Sequence, residues 1–140
     1  MRTVRGPDGR TYLLVKRSRD ASRVRDPKTG EERYLSNDEL EAAGGESPLE
    51  TAARAVPDPA RRVLVAVPTE QGLGLLVELV ERGPLSVVEL MDAYDLCESD
   101  LHGLLTEFKL AGLIEETRVY GERGYEATPL AHEGIDQLRR

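Results

Sequence analysis

The chain has 140 residues, 19 basic and 26 acidic, with a formal net charge of −7, a length sufficient for one well-buried domain or one domain with a small appendage. It has no apolar run near the roughly 18 residues of a membrane span and no signal-peptide pattern, so we expect a protein of the cytoplasm with no membrane segment. The single cysteine, Cys97, excludes an intramolecular disulfide, and with only His102 and His132 beside it we expect neither a metal ion nor another cofactor.

Basic side chains are concentrated at the amino-terminal end of the chain. Residues 1–35 contain ten basic and five acidic side chains, a local charge of +5, which leaves −12 for the remainder. This asymmetry indicates an end that faces a polyanion. A solvated pair of hairpins explains the same pattern, since the acids are interleaved with the bases, and a protein partner for this end is a third alternative.

The first third of the chain predicts a small antiparallel sheet. Two turn signals, "PDG" and "PKTG", each join two runs that are rich in β-prone residues. The predicted strands are 3–5, 11–17, 22–26 and 31–35. We therefore predict a basic β-hairpin module over residues 1–35, and because so small a sheet is marginal alone, it should pack on a helix or on the second domain.

Two capping boxes follow this module. "SNDE" and "SPLE" each place an N-cap oxygen three residues before a Glu, which predicts short helices over 37–43 and 48–55. The breaker "VPDP" then ends the segment, so residues 36–58 are predicted as short helices and a linker, with a boundary near Val56. The next run, "RRVLVAV", fits either a buried strand or the start of a helix.

Three amphipathic helices are predicted next, each with apolar residues at i, i+3, i+4 and i+7. The stripes are Leu73, Leu76, Val77 and Val80; Val87, Leu90, Met91 and Tyr94; and Leu101, Leu104, Leu105 and Phe108. Thr69 is the predicted N-cap of the first helix, Ser86 and Glu89 form a capping box on the second, and Gly112 closes the third. The connection at 95–98 has the length of the tight turn in a helix-turn-helix.

The last part of the chain predicts a β-hairpin and a terminal helix. Alternating runs at 113–120 and 125–128 flank "GERG" and form a wing. The terminal helix begins at Pro129 and carries Ala131, Ile135 and Leu138 at i, i+4 and i+7. This stripe is too short to form a core by itself, so it either packs on its own domain or pairs across a two-fold axis.

These elements carry a resemblance to a known class of domain. From about residue 68 to 140, "GPLSVVELMDAYDLCESDLHGLLTEFKLAGLIE" and "GYEATPLA" resemble the winged helix-turn-helix domain of prokaryotic transcriptional regulators of the MarR, ArsR and PadR type. Such families usually have Ser or Thr in the position of Cys97, and bases where this chain has Asp100 and Glu107. The resemblance implies an α+β fold in which a winged helix-turn-helix domain at 59–140 follows the N-terminal antiparallel β-hairpin module. It also favours a homodimer through the terminal helix.

The third helix of the winged domain predicts a binding face. Opposite its apolar stripe, at about 100° per residue, lie Ser99, Gly103 and Thr106, with His102 beside them. This small polar face fits either the major groove of DNA or a second protein helix. We favour double-stranded DNA, because the order of helix and wing is the one that groove docking uses. The residues predicted to contact DNA are Ser99, His102, Gly103, Thr106, Lys109, Arg118 and Arg123, the last two from the wing.

Two other expectations concern function. Arg118 and Arg123 are equally explained as a charged hairpin edge that discourages strand pairing. No catalytic triad order, phosphate-binding glycine loop or paired acids occur, so we expect no enzyme. The hypotheses are therefore a transcriptional regulator or chromosome-associated protein, or alternatively a winged-helix adaptor that binds proteins and not DNA. A DNA-binding protein of this kind would be associated with the nucleoid.

Overall fold

The computed structural model describes residues 1–140, which divide into two compact units, Met1–Pro57 and Asp58–Arg140. The first unit is a sheet with one short helix, and the second combines five helices with a small sheet. The α+β class predicted from the sequence is confirmed. None of the six helices combines the length and the apolar composition that crossing a membrane requires.

The first unit is built on a five-stranded antiparallel sheet in the order β4-β3-β2-β1-β5. Its strands are β1 (Arg2–Arg5), β2 (Thr11–Arg17), β3 (Ala21–Arg25), β4 (Glu32–Ser36) and β5 (Glu41–Ala42). The four predicted strands are thus confirmed to within one residue at each end. Both turn signals form the predicted connections, with Gly9 and Gly30 at positive φ (79° and 76°), a conformation that favours glycine.

The predicted helix over 37–43 is wrong. Only a single 3₁₀ turn forms, Asn37–Glu39, and the chain then pairs as β5 against β1. The side chain of Ser36 makes no cap hydrogen bond. Asn37 instead accepts a hydrogen bond from Ser22 Oγ at 2.5 Å and donates to the Ser18 carbonyl at 2.8 Å. These contacts with distant residues outweigh the local capping signal.

The first unit has a small core supported by polar contacts. Val4, Tyr12 and Val24 are buried together, and helix α1 (Pro48–Ala52) is joined to β1 by a buried hydrogen bond of 2.6 Å between the hydroxyls of Thr3 and Thr51. The predicted helix over 48–55 is confirmed as α1 followed by a 3₁₀ turn. Burial, followed by its hydrogen bond to Asp8, raises the pKa of Tyr12.

The second unit has four helices followed by a hairpin and a final helix, an order that is compatible with a winged helix. Its elements are α2 (Asp58–Ala66), α3 (Glu70–Arg82), β6 (Leu85–Ser86), α4 (Val87–Tyr94), α5 (Glu98–Leu110), β7 (Ile114–Val119), β8 (Glu122–Ala127) and α6 (Pro129–Leu138). The small sheet has the order β6-β8-β7. The run "RRVLVAV", for which the sequence allowed a strand or a helix, belongs to α2.

The predicted caps of the second unit are confirmed. Thr69 Oγ1 accepts a hydrogen bond from Gly72 N at 3.0 Å. Ser86 and Glu89 form both bonds of the capping box at the start of α4. Gly112 follows α5 at a φ of 76°, and Gly112 N donates to the Lys109 carbonyl.

The buried face of α3 differs from the predicted stripe. Leu76 is buried as expected, but Leu73 is 37% exposed, and Leu75 and Leu79 are buried in its place. Gly72 is also buried, and an added Cβ there would lie 3.1 Å from the side chain of Leu104 on α5. Positions 72, 75, 76 and 79 therefore face the core, and the predicted Val77 and Val80 are only partly buried against it. The stripes of α4 and α5 do contact the core, with Leu90, Leu101, Leu105 and Phe108 buried in it.

The terminal helix α6 packs on its own domain. Ala131 and Ile135 are buried, with exposed fractions of 0% and 2%, and they belong to the core of the second unit. The backbone of α6 lies against α2, since a Cβ at Gly134 would be 2.5 Å from the Pro59 carbonyl oxygen. Of the alternatives that the sequence left open, the structure therefore shows intramolecular packing. Ala131 and Ile135 are not available for the expected dimer, and only Leu138, 39% exposed, remains at the surface.

The turn of the wing begins one residue before the predicted "GERG" turn. Tyr120 and Gly121 form the turn, both at positive φ (51° and 81°), as a two-residue type I′ hairpin requires. Glu122, Arg123 and Gly124 belong to β8. Gly124 lies close to β6, because a Cβ at this position would be 2.6 Å from the Leu85 carbonyl oxygen. The missing side chain therefore allows the two strands to approach closely.

Candidate nucleic-acid interface

Helix α5 is fixed at both ends and along its buried side. Cys97 is its N-cap, with Sγ accepting a hydrogen bond from Asp100 N at 3.4 Å. Leu101, Leu105 and Phe108 are buried in the core. The opposite face is consequently directed to solvent in a defined orientation, as in the recognition helix of a helix-turn-helix.

The centre of this exposed face is small and uncharged. Ser99, Gly103 and Thr106 are all exposed, and a Cβ added at Gly103 would have no other atom within 4 Å. The structure thus places these three predicted contact residues together along one line of α5. The surface of the helix at Gly103 is therefore open.

Acidic residues flank this centre. Glu98 and Asp100 lie in the first turn of α5, where their charge complements the helix dipole. His102, predicted to contact the DNA backbone, has its Nε2 3.7 Å from Glu98 Oε1. His102 is therefore beside an acid on the flank, and the approach to α5 is uncharged only along its central line.

Two of the predicted phosphate contacts share one carboxylate. Glu116 Oε1 on β7 accepts hydrogen bonds from Lys109 Nζ at 2.9 Å and from Arg123 Nη2 at 2.8 Å. The ammonium group of Lys109, followed by the guanidinium of Arg123, lowers the pKa of Glu116. Arg123 also donates to Tyr125 Oη at 3.0 Å. The cluster of Lys109, Glu116 and Arg123 therefore joins α5 to the wing and has a net charge of +1.

Arg118 is the wing cation that has no acidic partner. It lies directly opposite Arg123 in the register of β7 and β8, so both side chains are on the same face of the hairpin. Its Nη1 donates to the Gly121 carbonyl at 3.4 Å, and it forms no ion pair. Tyr120, 99% exposed, forms the tip of the wing.

Sequence reasoning found the individual bases but missed Glu116. Lys109, Arg118 and Arg123 lie near one another, and the two that pair with Glu116 are partly neutralised. The signal that identifies Glu116 is the register of the wing: it lies two residues before Arg118 on the same face and diagonally across from Arg123. That register depends on the turn at Tyr120 and Gly121.

The charge of the second unit is strongly negative. Asp58–Arg140 contains eight basic and sixteen acidic side chains, a net charge of −8, whereas Met1–Pro57 contains eleven and ten, a net charge of +1. Because DNA is a polyanion, the field of the second unit opposes its approach. The groups of the second unit that do not oppose a polyanion are the uncharged centre of α5 and the few cations of the wing.

An apolar groove lies beside α5. Val65 on α2 and Leu110 at the end of α5 are 82% and 84% exposed, and they line a depression of about 660 Å³ together with Pro68 and Ala111. Large exposed apolar side chains next to one another are typical of a surface that contacts another molecule. No group of three or more His, Cys, Asp or Glu side chains is arranged to hold a metal ion.

Comparison with known proteins gives a family for the chain. A crystal structure of an ArsR family transcriptional regulator is similar to it over 60% of this chain and 86% of that chain, with 14% sequence identity and a TM-score of 0.44. No curated protein matches the chain. A family model matches residues 1–139, and the chain therefore belongs to the family of unknown function DUF7346.

Proposed function

We propose that this protein binds double-stranded DNA through α5 and the wing, as a transcriptional regulator or a chromosome-associated protein. The observation that carries the proposal is the exposed, uncharged line of Ser99, Gly103 and Thr106 on a helix held in a helix-turn-helix arrangement. An α-helix fits the major groove, and small side chains let its backbone come close to the base edges.

Each predicted contact residue has a role in this arrangement. The hydroxyls of Ser99 and Thr106 bind base edges or phosphates, since each can donate and accept a hydrogen bond. Lys109 at the end of α5 binds the backbone of the DNA, with His102 as a further contact on the flank. Arg118 binds a phosphate or enters the minor groove.

The shared carboxylate limits the affinity of this surface. Arg123 and Lys109 have to exchange Glu116 for a phosphate when DNA binds, so each contributes less than a free cation would. Discrimination between sequences then rests mainly on the helix centre, and affinity for any sequence is low. A protein of this kind is expected in the cytoplasm, associated with the nucleoid.

We also propose a homodimer, because two recognition helices one DNA turn apart read a palindromic site. Its interface cannot use Ala131 or Ile135, which are buried in the core of their own domain. Leu138 is the one residue of the predicted stripe that a second copy can reach without unfolding α6.

The test of DNA binding compares two glycines on exposed helix faces. Gly103→Glu on α5 places a bulky negative charge at the proposed groove contact, and Gly74→Glu makes the same change on α3, where a Cβ also has no atom within 4 Å. We expect Gly103→Glu to abolish specific binding, and Gly74→Glu to leave it intact. Occupancy of the tagged protein across the genome is measured for both variants and the native chain.

The pattern of occupancy separates the possible roles. Discrete peaks at promoters that are lost in Gly103→Glu indicate a regulator, and even coverage indicates a chromosome-associated protein. Equal occupancy in both variants would mean that α5 does not read DNA. If the native protein shows no enrichment, the DNA-binding proposal is wrong.

The alternative function is an adaptor that binds another protein. It is supported by the exposed apolar pair Val65 and Leu110 and by the acidic flanks of α5, which disfavour DNA. The adaptor hypothesis predicts that Leu110→Asp fails to complement a strain in which the gene is deleted, whereas Gly103→Glu complements it. The DNA-binding hypothesis predicts that Gly103→Glu fails to complement, so the two variants distinguish the adaptor from the DNA-binding protein.

A further inference from the structure

The first unit contains a polar cleft at one end of its sheet. The cleft has a volume of about 710 Å³ and is bordered by the turn between β1 and β2, the turn between β3 and β4, and the segment before α1. Four basic side chains line it, Arg5, Arg10, Lys28 and Arg54, against two acids, Asp26 and Glu46. Its charged lining therefore has a net charge of +2, in a unit whose net charge is +1.

Both acids of the cleft are used by the fold itself. Asp26 Oδ1 accepts a hydrogen bond from Lys28 N at 2.9 Å, which holds the turn between β3 and β4. Asp26 Oδ2 lies 3.8 Å from Arg10 Nη1. Glu46 accepts a hydrogen bond from Thr51 Oγ1 at 3.0 Å and pairs with Arg54. The two acids are also mostly buried, with side chains only 19% and 17% exposed.

The two remaining bases of the cleft have no acidic partner. Arg5 and Lys28 are exposed, and neither forms an ion pair or a side-chain hydrogen bond. They come from different elements, the end of β1 and the turn between β3 and β4, yet line the same cleft. Since Arg10 and Arg54 balance the two acids, Arg5 and Lys28 supply the uncompensated positive charge.

We propose that this cleft binds the phosphodiester backbone of double-stranded DNA through Arg5 and Lys28. This inference rests on the proposed DNA binding. The cleft is the proposed source of the part of the affinity that does not depend on the DNA sequence. Cations without acidic partners are the groups that neutralise backbone phosphates and release counterions. Three of the four bases of the cleft belong to the most basic segment of the chain, residues 1–35, where ten bases and five acids are found, which favours an extended polyanion over a small isolated anion.

The experiment measures binding of the full chain to a fluorescein-labelled, random-sequence duplex over a range of KCl concentrations. The cleft variant is Arg5→Gln with Lys28→Gln. The matched control is Lys16→Gln with Arg17→Gln, which removes the same two charges from exposed residues at the opposite end of β2. The charge-conserving exchange Arg5→Lys with Lys28→Arg tests whether charge is what matters. Circular dichroism confirms that each variant folds.

We expect the cleft variant to bind every sequence more weakly and to reduce the slope of log affinity against log salt by up to about two, because each lost phosphate contact removes about one released counterion. The control should retain the native slope, and the charge-conserving exchange should bind as the native chain does. An equal loss in the cleft variant and the control would overturn the proposal in favour of diffuse charge.

The proposal and the function on which it rests fail in different ways. If the native chain binds DNA and Gly103→Glu abolishes specific binding, but the cleft variant keeps the native slope, DNA binding stands and the cleft proposal is wrong. If the native chain binds no duplex at any salt concentration, both are wrong.

Discussion

The two units of the chain differ in both core and charge. Asp58–Arg140 buries a continuous core of fifteen residues and has a net charge of −8, whereas Met1–Pro57 buries a cluster of three and has a net charge of +1. The unit that contains the candidate interface therefore has a charge that opposes a polyanion, and the unit with the small positive charge contains no helix-turn-helix. The helix-turn-helix arrangement and the positive net charge are thus found in different units of this chain.

The units also differ in what holds them together. The second unit depends on apolar burial, with Leu76, Leu101 and Phe108 completely buried at its centre. The first unit adds buried polar pairs to its small core, such as the hydroxyls of Thr3 and Thr51. A small core contributes less free energy of folding, so the hydrogen bonds of the first unit form a larger part of its stability.

The largest effect is expected from placing a charge in the core of the second unit. Ile135→Asp should destabilise it by at least about 5 kcal/mol, since it removes buried apolar surface and buries a carboxylate without a partner. Leu138→Asp, on the exposed side of the same helix, should cost less than about 1 kcal/mol. Urea unfolding followed by circular dichroism gives both values. A folded monomer from Ile135→Asp, with a dimeric native chain, would show that the residue lies between subunits.

An intermediate effect is expected in the first unit. Thr51→Val leaves the buried hydroxyl of Thr3 without its hydrogen-bond partner and removes one of the two donors to Glu46, which keeps its pair with Arg54; the loss should be about 1 to 3 kcal/mol. Adding Thr3→Val removes the unpaired hydroxyl, so the double variant should recover part of the loss. A double-mutant cycle in urea measures the coupling. If the two single losses simply add, the hydroxyl pair does not contribute to the stability of the unit.

The smallest effect is expected from removing one negative charge from the second unit. Glu116→Gln releases Lys109 and Arg123 from their shared carboxylate and should raise DNA affinity about threefold to tenfold at low salt. Glu115→Gln, which removes the same charge from an exposed neighbour on the other face of β7, should have a smaller effect. Titration of a random-sequence duplex compares them. Equal gains would mean that only net charge matters and that the cluster has no specific role.

Local signals predicted much of the fold. The side chains of Thr69 and Ser86 cap their helices with bonds three residues along the chain, and the positive φ of Gly112 ends α5. Each of these depends on a few neighbouring residues, so the sequence contains the whole cause. The same holds for the two turns of the first unit, where Gly9 and Gly30 take the conformations that their turns require.

Features that depend on distant contacts were not predictable in the same way. The buried face of α3 includes Gly72, which packs against Leu104 of α5, but a glycine adds nothing to a hydrophobic pattern. The side chain of Asn37 forms hydrogen bonds with Ser22 and Ser18, and the predicted helix does not form. The pairing of Glu116 with two predicted contact residues depends on the register of the wing. The candidate site could thus be located on α5 and the wing, but its electrostatics required the tertiary structure.

The contact between α2 and α6 brings the first and last helices of the second unit side by side. Ala60 N donates to Gln137 Oε1 at 3.1 Å, and the backbones touch at Pro59 and Gly134. The ends of this unit are therefore neighbours, although the unit contains 83 residues. Adjacent termini are what circular permutation requires. A short linker from Arg140 to Asp58 could close the unit into a ring, and the exposed turn at Tyr120 and Gly121 offers a place to reopen it.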